Sequence, residues 1–303
     1  MDSTHLTHQP LGRNGTAAAL ARNVLGLFKL RIGFVIMITA LAGYAVTPGP
    51  ALSAAQFAVL ALSVLISSAS AGAYNQYFEY QSDRLMARTR NRAFATGALR
   101  HTPAWLIPIA LLLAGSVAAA WFALNPVAAL FVFLGAFFYA IVYTVWLKRR
   151  TWLNIVIGGL AGSFAVLAGA AAVNPALGSV PLLLALVLFL WTPPHFWSLA
   201  IANRADYAAA GVPMLPVVVG DARAARIVFA STLALVGVSL LPGFFGAGPL
   251  YLFGALVGGG YFIVKAGQLA LAPSRKTALA SFFASLLQLS LLLLGAMVDV
   301  LLR

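Results

Sequence analysis

The sequence predicts an all-α, polytopic membrane protein, and three observations carry that assignment. Of its 303 residues, 62% are hydrophobic and 8% are charged. Apolar stretches near or above about 18 residues recur along the whole chain, which is the length a helix needs to cross a bilayer. The charges fall in short connections, and basic connections alternate with uncharged ones. A transmembrane barrel would show short segments of alternating polarity, whereas a run such as 182–190 is apolar on every side.

Taken in order, residues 1–27 read as a flexible cytoplasmic tail, with His5, His8, Pro10 and Gly15 and no sustained apolar period. No cleavable signal pattern is present, so the first apolar run is expected to stay as an anchor. Residues 28–303 read as a single transmembrane domain. Its first run, 32–47, ends at Pro48, Gly49 and Pro50, which favour a turn. The second, 53–78, leads into a charged stretch. Further runs lie near 103–122, 127–146, 152–172, 180–202, 224–242, 249–267 and 278–299, giving nine helices.

Charge placement tests that count, because cytoplasmic connections carry the excess of Lys and Arg. With nine helices, every basic residue except Arg303 falls on one side, and the connections after helices 1, 3, 5 and 7 carry no charge. The amino terminus is then cytoplasmic and the carboxyl terminus outside. The net charge of +13 is accounted for by topology and by anionic lipid, not by nucleic acid. The absence of cysteine excludes disulfides, thiolate metal sites and cysteine nucleophiles.

The stretch 75–92 concentrates chemistry. Asn75, Glu79 and Asp83 are spaced i, i+4, i+8, so on a helix they form one stripe about 12 Å long. Stacked carboxylates repel, and a divalent cation between them relieves this; Mg²⁺ favours few carboxylates together with phosphate oxygens. Arg88 and Arg92 continue the series, and arginine forks suit phosphate. The same stretch also fits a solvated helix end whose arginines only fix topology. Lys148 and Arg149, after Tyr143 and before Asn154, are either positive-inside markers or further phosphate contacts. Asp206, in a loop ahead of Gly211, Pro213 and Pro216, is a turn former or a third acid on the side of Glu79 and Asp83.

Trp191-Thr192-Pro193-Pro194-His195-Phe196-Trp197 places two prolines in an apolar helix. A break there is tolerated where backbone lines protein or a cavity, so His195 is expected to face inward. It is either a satisfied polar group or a contact to a substrate propionate or iron. Gly158, Gly159 and Gly258 to Gly260 fit close helix packing better than phosphate cradles. No nucleotide loop, zinc motif or nucleophile elbow is present at usable specificity.

Over nearly the whole chain after the tail, these stretches resemble the UbiA-type intramembrane prenyltransferases, and within them the branch that farnesylates heme b. The resemblance is carried by 86–92, 143–159, 191–197 and 206–216, with Asn75, Glu79 and Asp83 at the family's first acidic motif and Asp206 opening its second. It implies a UbiA-type bundle with a cytoplasm-facing cavity, in a bacterial inner (plasma) membrane. It also implies farnesyl transfer from farnesyl diphosphate to a vinyl group of heme b, giving heme O and diphosphate.

Mg²⁺ would be held through Glu79, Asp83 and Asp206, with Arg88, Arg92, Lys148 and Arg149 on the diphosphate. His195, Trp191, Trp197 and Tyr143 fall to the porphyrin side. Membrane lipid and the heme A synthase or oxidase that uses the product are the implied partners. Departures occur at Tyr80 and Gln81, where an Arg-Asp pair is usual, at Ala93 and at Leu30, where proline is common. The missing carboxylate at 81 puts metal affinity in question. Other readings are a quinone or chlorophyll-precursor prenyltransferase, an organic-anion transporter, and a weakly active heme-binding relative.

Overall fold

The computed structural model describes residues 13–302. Among them, nine helical segments are long and apolar enough to cross a membrane, the expected number. We label the long helices α1 Arg13–Leu27, α2 Leu30–Ala45, α3 Ala54–Asp83, α4 Leu106–Ala123 and α5 Pro126–Phe137. They continue as α6 Leu160–Val173, α7 Ser179–Ala202, α8 Asp221–Ser239, α9 Pro249–Leu271 and α10 Arg275–Leu301. The first crossing combines parts of α1 and α2.

The expectation of a flexible tail over 1–27 is corrected for 13–27, which is helical. The Ala-rich and Leu-rich stretch favours a helix, and Leu27 is buried with Ala73 and Phe94. Residues 1–12, with His5 and His8, lie outside the described residues. The second run is also longer than read: α3 extends to Asp83, which carries both acids of the stripe inside the helix.

Two groups of helices share the bundle. In the first, α2 to α6 follow one another around a closed ring in which α2 packs on α6; in the second, α7 to α10 close through α7 on α10. Contacts of α6 with α7 and of α2 with α10 join them. Each group has its own apolar core, around Leu60, Val132 and Ala168 in one and around Leu188, Phe262 and Leu292 in the other.

In a membrane, apolar burial gives no net drive between helices, so close backbone approach and polar links do more of the work. A Cβ on Gly43 would strike the Val166 carbonyl, and one on Gly169 the Ala40 carbonyl, so α2 and α6 touch backbone to backbone. Gly254 lies in the same way against Leu291. Asn125 caps α5 through Ala128 N–H and donates to the Ala171 carbonyl of α6. Capping boxes at Ser53 and Ser274 start α3 and α10. Gly158, Gly159, Gly258 and Gly259 meet Tyr143, Thr192, Gln288 and Val236 at close range, as their reading as packing glycines requires, whereas Gly260 faces open space and is corrected.

Candidate active site

The stripe on α3 is buried: Asn75 and Glu79 are 2% exposed and Asp83 is 1% exposed. Ionised carboxylates survive such burial only when paired, and both are. Lys148 Nζ lies 2.5 and 2.6 Å from the two Glu79 oxygens. Arg92 Nη1 donates to both oxygens of Asp83, at 2.9 and 2.8 Å. The expected continuation of the helical series to Arg88 and Arg92 does not occur, because α3 ends at Asp83. The chain turns instead, with Thr89 Oγ1 donating to the Asp83 carbonyl, and Arg92 folds back onto the acid while Arg88 is exposed.

The segment following α5 supplies Lys148. From Phe138 to Leu147 the helix widens into π-type turns, a feature often found at functional sites. Thr144 Oγ1 and Lys148 N–H each donate to a carbonyl five residues back, Tyr139 and Tyr143. Thr144 also accepts from Asn75 Nδ2 at 3.0 Å. Asn154, fully buried, donates to the Lys148 and Thr151 carbonyls and holds the turn after the lysine. Arg149 is exposed.

Lys29 completes the group and was read from sequence only as a topology marker. It sits between α1 and α2 in the left-handed region, φ 46° and ψ 41°, a conformation costing about 1–3 kcal/mol for a non-glycine residue. Its Nζ donates to Asn75 Oδ1 at 2.7 Å and to Tyr139 Oη at 3.2 Å. The polar core thus holds three formal cations, Lys29, Lys148 and Arg92, against two acids. Tyr139 and Thr144 were missed as well; the available signal was their spacing toward Lys148, which a standard helical period does not reproduce across a π segment.

Asp206 stands apart. It is half-buried on the short helix Arg204–Ala209 and makes no side-chain hydrogen bond or ion pair among the described residues. Its neighbour Tyr207 packs with Met86, Ile155, Ala200 and Met214, which brings the 206–216 segment beside the end of α3. No group of three acids or histidines close enough to hold a metal forms among the described residues. The expected trio of Glu79, Asp83 and Asp206 is therefore not assembled: Lys148 and Arg92 take the first two. The donors still fit Mg²⁺ bound with phosphate, since that ion commonly takes one or two carboxylates plus substrate oxygens. They do not fit a metal cage made of protein alone.

The prolines in α7 do not break it; the helix runs through Pro193 and Pro194. His195 is 6% exposed and stacks between Trp191 and Phe282, with centroids 4.0 and 4.5 Å away. Its Nδ1 is 2.7 Å from Ser285 Oγ of α10, and Trp191 Nε1 donates to the Ser285 carbonyl. Trp197, near Trp152, has a buried Nε1–H without a partner among the described residues. Tyr143 sits with the cations, its ring centroid 5.6 Å from Lys148 Nζ.

Tyr80 and Gln81 point away from the stripe. Tyr80 stacks on His101 at 3.8 Å, and the exposed Gln81 donates to the Tyr80 hydroxyl. Their departure from the usual acidic pattern leaves the Glu79 and Asp83 pairs intact.

Nine membrane-length helices among the described residues, with acid–cation pairs buried at the end of α3, define a polytopic membrane protein with a buried charged site. The model of the UbiA prenyltransferase family matches residues 36–292, and the chain belongs to that family. It is 58% identical to protoheme IX farnesyltransferase 2 of Paramagnetospirillum magneticum over 91% of this chain and 96% of that protein. It is 46% identical to protoheme IX farnesyltransferase 1 of the same organism, over 92% and 98%. Among solved structures, a digeranylgeranylglyceryl phosphate synthase matches with TM-score 0.77 and 19% identity, over 94% of this chain and all of that one. A UbiA homolog from Archaeoglobus fulgidus bound to GPP and Mg²⁺ matches with TM-score 0.67 and 17% identity, over 89% and 99%.

Proposed function

We propose that this protein transfers the farnesyl group of farnesyl diphosphate to a vinyl group of heme b, giving heme O and diphosphate. The observation that carries the reading is the buried set of three cations on two acids at one end of an apolar bundle. Its lysine and arginine donors suit an anionic group, and the hydrocarbon around them suits a long prenyl chain. The names of relatives matching more than nine-tenths of the chain support heme over a quinone or chlorophyll precursor. The outward placement of Tyr80 and Gln81 weighs against a weakly active heme-binding relative.

In this reading Lys29, Lys148 and Arg92 exchange their contacts with Asn75, Glu79 and Asp83 for the oxygens of the diphosphate. They then stabilise the negative charge that develops as the C–O bond breaks and the electron pair leaves with diphosphate. Glu79 and Asp83, together with Asp206, would hold Mg²⁺, which would supply further charge neutralisation. The vinyl π electrons form the new C–C bond to the allylic carbon. Water adds at the other vinyl carbon and loses a proton, leaving the hydroxyethyl group. Exclusion of water until that point protects the allylic cation. The bias of basic residues supports a cytoplasmic amino end, and the bacterial relatives support a bacterial inner membrane.

The test is diphosphate release by purified protein with farnesyl diphosphate, heme b and Mg²⁺, compared with Asp83→Ala and Asp206→Ala. Release that requires heme and metal and is lost in both variants supports the reading. Release independent of heme, or wild-type rates in both variants, overturns it.

A further inference from the structure

Arg92 belongs to the connection between α3 and α4, residues 84–105, and two sets of contacts fasten that connection. Near α3, Thr89 Oγ1 donates to the Asp83 carbonyl, and Arg84 Nε donates to the Ala95 carbonyl at 2.8 Å. Toward α4, His101 returns to α3. Its ring stacks with Tyr80 and Tyr77, centroids 3.8 and 4.2 Å away, and its Nε2 lies 2.9 Å from the Tyr77 carbonyl. A carbonyl only accepts, so Nε2 carries a proton and donates. Phe94, buried, meets Tyr77, His101 and Trp105 edge-on.

Phe94 lies two residues after Arg92 in the short helix Ala93–Thr96, where Thr96 N–H donates to the Arg92 carbonyl at 2.9 Å. Whatever holds Phe94 therefore holds the Arg92 backbone. At rest, the ion pair of Arg92 with Asp83 shares that task. In the reaction proposed above, Arg92 gives up Asp83 for phosphate oxygens, and the ion pair no longer ties the connection to α3. The aromatic tether stays, because none of its rings takes part in the exchange. We infer that Tyr80 and His101 are positioning residues that hold Arg92 at the diphosphate site through Phe94. Tyr80, at a position where the family usually carries a charge, then serves the site by stacking.

Trypsin digestion of the purified full-length protein in detergent reads the tether without turnover. Cleavage between Arg92 and the buried Ala93 requires the connection to open, and its rate follows the open population. Tyr80→Ala is expected to speed this cleavage about 2- to 10-fold, the worth of one aromatic pair. Tyr80→Phe keeps the ring and should keep the wild-type rate. Cleavage after the exposed Arg150 should not change in either variant. Inorganic diphosphate with Mg²⁺ should slow cleavage after Arg92 in wild type and in Tyr80→Ala, since an arginine held on the ligand cannot enter the protease.

Unchanged cleavage after Arg92 in Tyr80→Ala overturns the tether, and so does faster cleavage that Tyr80→Phe shares. A connection that diphosphate leaves unprotected overturns the positioning role, since a segment open in the presence of ligand positions nothing. If Tyr80→Ala also speeds cleavage after Arg150, the variant is loosened as a whole. His101→Ala, at an exposed position, then decides, and a wild-type rate after Arg92 there overturns the inference. The diphosphate site comes from the proposed function, whose failure shows separately. Heme-dependent diphosphate release without protection of the connection leaves the function standing and removes the tether. Protection without any release from farnesyl diphosphate and heme b removes the function and keeps the tether.

Discussion

Replacing Lys148 with methionine isolates the pair that closes the polar core. The lysine and Glu79 side chains are 11% and 3% exposed, so the substitution strands a buried carboxylate. Removing one partner of such a pair costs about 3–5 kcal/mol. Over 303 residues, unfolding entropy of about 2.1 cal/mol/K per residue turns this into a fall in Tm of about 5–8 °C. The assay is thermal unfolding in detergent of Lys148→Met, Glu79→Met and the double variant. In the double variant no charge is stranded, so its stability should return to within about 1 kcal/mol of wild type. Diphosphate release should stay lost, because both the cation and the acid are gone. A single variant as stable as wild type, or a double variant no better than the singles, would refute the reasoning.

Three other outcomes follow from named contacts. Gly169→Leu drives a side chain into the Ala40 carbonyl, and thermal unfolding should show a loss of about 1–3 kcal/mol or more. Gln81→Asp restores the family's usual acid at an exposed position facing away from the stripe; initial rates of diphosphate release should stay within about 2-fold, as surface changes of this kind do little. Asn75→Leu removes the amide linking Lys29 to Thr144, leaving Lys29 without its 2.7 Å partner. Because Lys29 then gives up no such bond on binding, the KM for farnesyl diphosphate, read from initial rates, should fall about 10-fold, the worth of one charge-assisted bond of about 1.5 kcal/mol.

The helices were legible because membrane crossings are written in length and composition. The stripe was legible too, since Asn75, Glu79 and Asp83 keep a regular period inside α3. What followed was not. Arg92 looked like the next helical step and proved to be a fold-back, because a chain reversal after Asp83 leaves no periodic trace. Lys29 looked like a topology marker, since nothing in a basic residue at a membrane edge signals a left-handed backbone. Asp206 belongs to the same end of the molecule by packing, yet its carboxylate stands free of Glu79 and Asp83. Pairwise spacing within one helix can be read from a sequence; the partner each acid takes from another helix cannot.

The π-type turns at 138–147 carry a consequence for how this chemistry is inherited. Each such turn holds about one residue more than an α turn, so the segment behaves as a helix with an inserted amino acid. Removing one codon there, for example that of Ile141, would shorten the wide turns and change the register of the residues between it and Lys148 against α3. The bundle would survive, since the flanking apolar residues are interchangeable against lipid, but Lys148 would leave Glu79. A lineage could therefore lose the reaction and keep the membrane protein in a single in-frame step, and regain it by the reverse.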